Sequence, residues 1–171
     1  MTDYPNSTVA EDDLPEARLA RLGLSLPKVP APIGNFDLGS IDGTTLYLSG
    51  QGPLLEDNSL ATGKVGLDVS AEEAAFHARR TGLVLIAAMQ EILGSLDYVT
   101  QIRRVFGMVN AAPEFEDHPT VLNGCSDVLC EVFGPRGRHA RAAVGMGSLP
   151  GNITVEVEAI VSISPDWRPP S

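Results

Sequence analysis

Apolar positions before residue 36 are broken up by prolines, and after it they are patterned. Phe36-Asp-Leu-Gly-Ser-Ile alternates, Asp42-Gly43 interrupts, and Thr44-Thr-Leu-Tyr-Leu-Ser resumes the alternation. Asp-Gly between two β-prone runs predicts a two-residue hairpin, so the first two strands pair antiparallel. From Gly50 to Asp68, glycine and turn formers dominate, including Ser49-Gly50-Gln51-Gly52-Pro53 and Thr62-Gly63. That stretch reads as a loop of the kind that lines sites.

Helical spacing follows. Ser70 and Glu73 form a capping box, and Ala75, Ala78, Gly82, Leu85, Ile86, Met89 and Leu93 recur on one face until Gly94 ends the run. The small residues at 75, 78 and 82 would let this helix lie close on a sheet. Tyr98 to Ala111 carries apolar members in both alternate sets, the pattern of a strand covered on both faces, one by helices and the other by a second subunit. His118-Pro119 opens a second helix with a stripe of Val121, Leu122, Cys125, Val128, Leu129, Val132 and Phe133, stopped by Gly134-Pro135. Ala140 to Met146 and Ile153 to Ile163 are the last two strands, the latter in strict alternation.

The order is therefore β-β-α-β-α-β-β, an α+β arrangement with two helices on one face of a mixed sheet. Residues 1 to 30 are polar, acidic and proline-interrupted, and read as an extension with a short helix from Asp13, Pro15 in its first turn and Leu19 and Leu22 as its apolar face. Residues 31 to 166 form the domain and 167 to 171 a tail. The 171 residues allow one core of ordinary size.

Composition narrows the function. With 12 basic against 22 acidic residues, the formal charge of −10 repels a phosphate backbone, so nucleic acid is not the expected partner. No stretch approaches the roughly 18 apolar residues that span a bilayer, and the first residues lack a secretory pattern, so the expected setting is the cytoplasm, with no membrane. Cys125 and Cys130 lie on different faces of one helix, which disfavours a disulfide and predicts two buried thiols. His77, His118 and His139 show no ligand spacing, so no metal is expected.

The chemistry centres on the last two strands. Alternation puts Glu156 and Glu158 on one non-core face, about 7 Å apart. If the six-residue connection folds as a hairpin, 143 pairs with 156 and 141 with 158, and Arg141 shares a face with both carboxylates; a one-residue slip reverses that facing. Two readings fit. Arg141 and Glu158 form an ion pair that only fixes register, or Arg141 is free to grip a substrate carboxylate while one glutamate serves as general base. A serine hydrolase and a nucleotide-binding loop are both disfavoured, since neither G-x-S-x-G nor G-x-G-x-x-G occurs in its proper setting.

Arg141-Ala-Ala-Val-Gly-Met-Gly-Ser-Leu-Pro-Gly-Asn-Ile-Thr-Val-Glu-Val-Glu-Ala-Ile resembles the signature of the RidA/YjgF imine deaminases. It is joined by Ile33-Gly-Asn-Phe, Leu48-Ser-Gly-Gln-Gly-Pro and Val121-Leu-Asn-Gly, each at the corresponding place, so the resemblance covers residues 28 to 164. It is to the longer branch labelled endoribonuclease or chorismate-mutase-like. The resemblance implies a chorismate-mutase-like fold assembled as a homotrimer, with sheets forming a central barrel and three sites between subunits. By position, Arg141 corresponds to the arginine that grips the substrate carboxylate and Glu156 to the acid that orients water. Phe36 stands where many members have a phenol, Gly50 and Ala143 where main-chain groups face the ligand, and Asn123 where a helix residue lines the cleft. Ala142 and Ala143 replace the family's usual Ser and Cys. The implied reaction is hydrolysis of a small carboxylate-bearing imine or enamine to a 2-oxo acid and ammonia, with no cofactor. A non-catalytic trimer that binds small carboxylates, a deaminase of larger enamines and a ribonuclease are the alternatives.

Overall fold

The computed structural model describes residues 14–169. Helix α1 (Pro15–Arg21) leads into strands β1 (Gly39–Asp42) and β2 (Thr45–Gln51), helix α2 (Ala71–Leu93), β3 (Val99–Asn110), α3 (His118–Phe133), β4 (Ala140–Met146) and β5 (Val155–Ile163). The first hairpin forms one residue later than Asp42-Gly43 suggests. Asp42 pairs with Thr45, so Gly43 and Thr44 make the turn, with Gly43 at φ 57° in the first central position.

Local signals set the helix ends. The Ser70 hydroxyl accepts from the Glu73 amide, and Gly94 closes α2 in the left-handed region at φ 79°. Pro119 starts α3, whose buried face is Val121, Leu122, Cys125, Val128, Leu129, Val132 and Phe133. The small residues of α2 serve the neighbouring helix instead of the sheet: a side chain at Gly82 would meet Val128 and Cys125, and one at Gly124 would overlap the Ala75 carbonyl. Cys125 is buried and Cys130 only half-buried, and both are free thiols.

The strands form one mixed sheet in the order β1-β2-β5-β3-β4. β5 lies antiparallel between β2 and β3, while β4 runs parallel to the outer side of β3. The expected β4–β5 hairpin, with 143 opposite 156 and 141 opposite 158, is therefore absent. The reason is the β3-α3-β4 unit, whose helical crossover delivers β4 parallel beside β3 and leaves β5 to pair on β3's other edge. A short 3-10 turn at Pro150–Asn152 and a bridge from Ile153 to Thr62 carry the chain across.

Two further expectations are corrected. The sheet is open, with β1 and β4 at its edges, and is not closed into a barrel. There are three α-helices among the described residues, not two, because the N-terminal segment docks its own helix. Asp13, the expected start of α1, lies outside the described residues. Leu19 is buried, and Arg18 Nε donates to the Glu131 carbonyl of α3 at 3.1 Å. Leu22, expected on the apolar face, is the exposed C-cap.

Leu46, Val105, Val157, Ala159 and Val161 face the helices in the core. The opposite sheet face carries Phe106, Met108, Val144 and Ile160, each half-buried, with exposed Tyr47. No second layer formed by the described residues covers that face. No helix among the described residues is long and apolar enough to cross a membrane.

Candidate functional site

Register decides which side chains can meet. Val105 stands between Arg141 and Ala159, and Phe106 between Ala142 and Glu158. Successive residues of a strand face opposite sides, so Arg141 points to the helix side and Glu156 and Glu158 to the open side. The facing expected from a hairpin is thus reversed, because β3 lies between β4 and β5. The Arg141–Glu158 ion pair does not form. Glu158 instead lies 4.0 Å from Arg104, with both side chains nearly half exposed, a pair that contributes little to stability.

Arg141 is held by the helix above it. Its Nη1 donates to Asn123 Oδ1 and to Ser126 Oγ, each at 3.0 Å, and its Nη2 to the Pro119 carbonyl at 3.3 Å. Asn123 and Ser126 are three apart in α3 and so present their side chains on one face. The Nε–H and the second Nη2–H have no partner among the described residues. The Nε–Nη2 edge of a planar guanidinium is one that receives a carboxylate bidentately. Ala143 follows on the same side of β4 and packs against the core.

Around this arginine the titrating groups are held neutral. Burial pushes the Cys125 thiol up to about 12, against the opposing pull of Arg141. Burial also lowers the His139 pKa, and the Arg141 charge lowers it further, against a hydrogen bond with the Gly137 carbonyl that acts to raise it. His139 Nε2 lies 3.1 Å from Ser126 Oγ.

The second half of the site is on the other face. A side chain at Gly50 would overlap the Glu156 carboxylate, so glycine is what lets β2 admit that carboxylate. Burial raises the Glu156 pKa, and the like charge of Glu158 adds to it. Phe36 is half exposed in the segment before β1. Its neighbours Asp37 and Leu38 bond Ser49 through their carbonyls, which ties that segment to the residue before Gly50.

The expected residues thus form two groups: Arg141, Asn123 and Ala143 on the helix side, and Glu156 with Gly50 toward the open side, the Phe36 segment being tied to Ser49 beside Gly50. One copy does not bring the groups together, because β3 separates the strands of Arg141 and Glu156. Sequence reasoning missed Ser126, His139 and the Pro119 carbonyl. The i to i+3 spacing of Asn123 and Ser126 was the available signal, but it gains meaning only once Arg141 is known to face α3. Separately, Phe115, His118, Gly145 and Lys64 line a cavity of roughly 550 Å³, to which Arg141, Asn123, Ser126 and His139 do not contribute.

Known proteins share this arrangement of strands and helices. Residues 16–160 match the family model described as "YjgF/chorismate_mutase-like, putative endoribonuclease". The chain is 38% identical over 149 residues to protein TCP17 of Trypanosoma cruzi, covering 86% of this chain and 93% of that protein. It is 29% identical over 141 residues to the 2-iminobutanoate/2-iminopropanoate deaminase of Dermatophagoides farinae, covering 82% and 94%. Among solved structures, one described as a "putative endoribonuclease" from Shewanella oneidensis aligns with a TM-score of 0.84 and 36% identity, covering 88% of this chain and 99% of that one.

Proposed function

The chain belongs to the RidA/YjgF superfamily, and from that premise we propose that it is a hydrolytic deaminase, converting reactive 2-imino or enamine acids into 2-oxo acids and ammonia. The observation that carries this reading is the Arg141 guanidinium, fixed on one side by Asn123, Ser126 and Pro119 and left with two donors on the other. A carboxylate fills that fork with two charge-assisted hydrogen bonds. The reaction named for the mite relative supports the substrate class.

In the proposed reaction Arg141 fixes the substrate carboxylate and thereby the adjacent C=N carbon. Water adds to that carbon while Glu156 takes a water proton and passes it to the imine nitrogen, giving a carbinolamine. Glu156 then takes the carbinolamine hydroxyl proton and returns it to the nitrogen as the C–N bond breaks, so ammonia leaves and a C=O group remains. The raised pKa of Glu156 brings it nearer the working pH, where a group that must both accept and return a proton is most effective.

A working site needs both groups. Arg141 comes from one copy and Glu156 from a neighbour in this reading, within the homotrimer that the family resemblance implies. The uncovered apolar residues Tyr47, Phe106, Met108, Val144 and Ile160 support association of copies through the open face.

Ammonia release from freshly generated 2-iminopropionate tests the proposal. Loss of one or two charge-assisted bonds in Arg141→Ala is expected to lower kcat/KM by about 10- to 100-fold. An unchanged rate in that variant removes the assignment. The replacement of the family's Ser and Cys by Ala142 and Ala143 favours a second reading, a trimer that binds small carboxylates without turnover. Binding of 2-oxo acids with no ammonia release from any imine would select it. Ribonuclease activity is opposed by the net charge of −10.

A further inference from the structure

With the imidazole of His139 neutral, the hydrogen bonds behind Arg141 have one self-consistent direction. His139 Nδ1 lies 2.6 Å from the Gly137 carbonyl, His139 Nε2 lies 3.1 Å from Ser126 Oγ, and Ser126 Oγ lies 3.0 Å from Arg141 Nη1. A carbonyl only accepts, so Nδ1 carries the imidazole hydrogen. A guanidinium only donates, so Ser126 Oγ accepts from it. In the neutral ring Nε2 is then an acceptor, and the serine hydroxyl donates to it. The result is a continuous chain from Arg141 through Ser126 and His139 to the Gly137 carbonyl, each member donating to the next.

The far end of this chain is rigid. Gly137 closes the 3-10 turn Gly134–Gly137, and its backbone packs so tightly on α3 that a side chain there would overlap the Leu129 carbonyl. His139 and Arg141 are two apart, so they emerge on the same side of the chain as it enters β4. The network therefore joins the fixed end of α3 to the free end of a long, rotatable arginine side chain. What it sets is which edge of the guanidinium is occupied by protein and which is presented outward.

We propose that Ser126 and His139 are positioning residues that fix the rotation of the Arg141 guanidinium and so set the preference for carboxylate-bearing substrates. This rests on Arg141 being the carboxylate anchor. Asn123 engages one hydrogen of Nη1, and Ser126 engages the second. With both occupied, the plane of the guanidinium is defined and its Nε–Nη2 edge is held ready for two parallel bonds. Without Ser126, the group keeps only the Asn123 bond at Nη1 and the longer Pro119 bond at Nη2, and it tilts from the plane that offers the carboxylate two parallel bonds. The cost falls on substrate capture and on discrimination against imines that lack the carboxylate.

The experiment compares Ser126→Ala, Ser126→Thr and His139→Phe with the parent, using 2-iminopropionate and the corresponding alkyl imine without a carboxylate. Ser126→Ala and His139→Phe are expected to raise KM for 2-iminopropionate about tenfold, the worth of one hydrogen bond to a charged group, with a smaller change in kcat. The ratio of kcat/KM between the two imines should fall by a similar factor. Ser126→Thr keeps a hydroxyl and should restore most of both. Thermal midpoints are measured alongside, and pyruvate affinity by calorimetry gives a readout independent of turnover. Variants that lose stability but keep the parental KM, pyruvate affinity and imine ratio overturn the proposal. Dependence on Arg141 without dependence on Ser126 or His139 overturns the positioning role alone. If Arg141→Ala leaves both turnover and pyruvate binding intact, the anchor fails and the positioning role with it.

Discussion

Glu156 carries a folding cost at the position proposed to guide water. Its carboxyl is held above the ordinary glutamate range by burial first and by Glu158 second. Folding therefore favours the protonated acid. The stabilisation of that form is full below the ordinary carboxylate value and is lost as pH rises through the raised one. Glu156→Gln has no charge to bury, so its thermal midpoint should gain on the parent's across that interval, while imine hydrolysis falls about 100-fold or more. Parallel melting curves at acid and neutral pH check the first effect and ammonia release the second; a midpoint difference that stays constant with pH counts against the titration.

At this scale the sequence revealed identities better than surroundings. Glu156 and Glu158 share the non-core face because alternation within one strand is a local property. The facing of Arg141 depended on which strand lies beside it, and no residue near Arg141 encodes that. Asn123 came into view through family resemblance, and the structure brings it into contact with Arg141. Ser126 and His139 stayed hidden because a serine on a helix and a histidine before a strand are ordinary until an arginine lies between them.

At the scale of elements, the contact between α2 and α3 is the most constrained joint. Gly124 sits against the Ala75 carbonyl, where a methyl group would meet backbone that has no rotamer to move. Replacing glycine by alanine within a helix gains up to about 1 kcal/mol in propensity. Overpacking against a rigid neighbour costs about 1–3 kcal/mol, and here the helices must part as well, so the cost prevails. Gly124→Ala should lower the thermal midpoint by a few degrees, roughly 2–4 °C per kcal/mol for a chain of this size. Because α3 also carries Asn123 and Ser126, the KM for a carboxylate substrate should rise in the same variant. A midpoint equal to the parent's would mean that the helices separate at no cost.

The helices and their caps were legible because their signals lie within a few residues of each other: Ser70 with Glu73, Gly94, and His118-Pro119 all act where they were read. Strand neighbours are decided at longer range. A six-residue connection between β4 and β5 resembles a hairpin, but β4 had already been committed beside β3 by the helix that precedes it. Hairpin logic considers only the connection, whereas the β3-α3-β4 crossover fixes the place of β4 from the other side. The docking of α1 was equally obscured, since its proline-rich, acidic surroundings read as an extension and Leu22, half of the expected apolar face, points outward.

At the scale of the molecule, the placement of the two groups of candidate residues on opposite sheet faces is the feature with the largest consequence. Arg141 points toward α3 from an edge strand, and Glu156 faces the side that no helix among the described residues covers. The two-sided apolar pattern of the Tyr98–Ala111 stretch anticipated that uncovered face, because a strand with apolar residues on both sides expects two partners. In a closed ring of three copies, every junction can join the arginine side of one copy to the glutamate side of the next. Co-expression of Arg141→Ala and Glu156→Gln chains in equal amounts then yields a distinctive outcome. A junction is intact when the Glu156→Gln chain contributes the arginine and the Arg141→Ala chain contributes the glutamate, which random assembly gives at about one junction in four. The mixture should therefore recover about a quarter of parental imine hydrolysis, while each variant alone stays near background. A site contained within one copy has no such route, because every chain in the mixture lacks one of the two groups. Activity no greater than the sum of the separate variants, in a mixture shown by mass spectrometry to contain both chains in one assembly, would place Arg141 and Glu156 in different sites and end the proposal of a shared one.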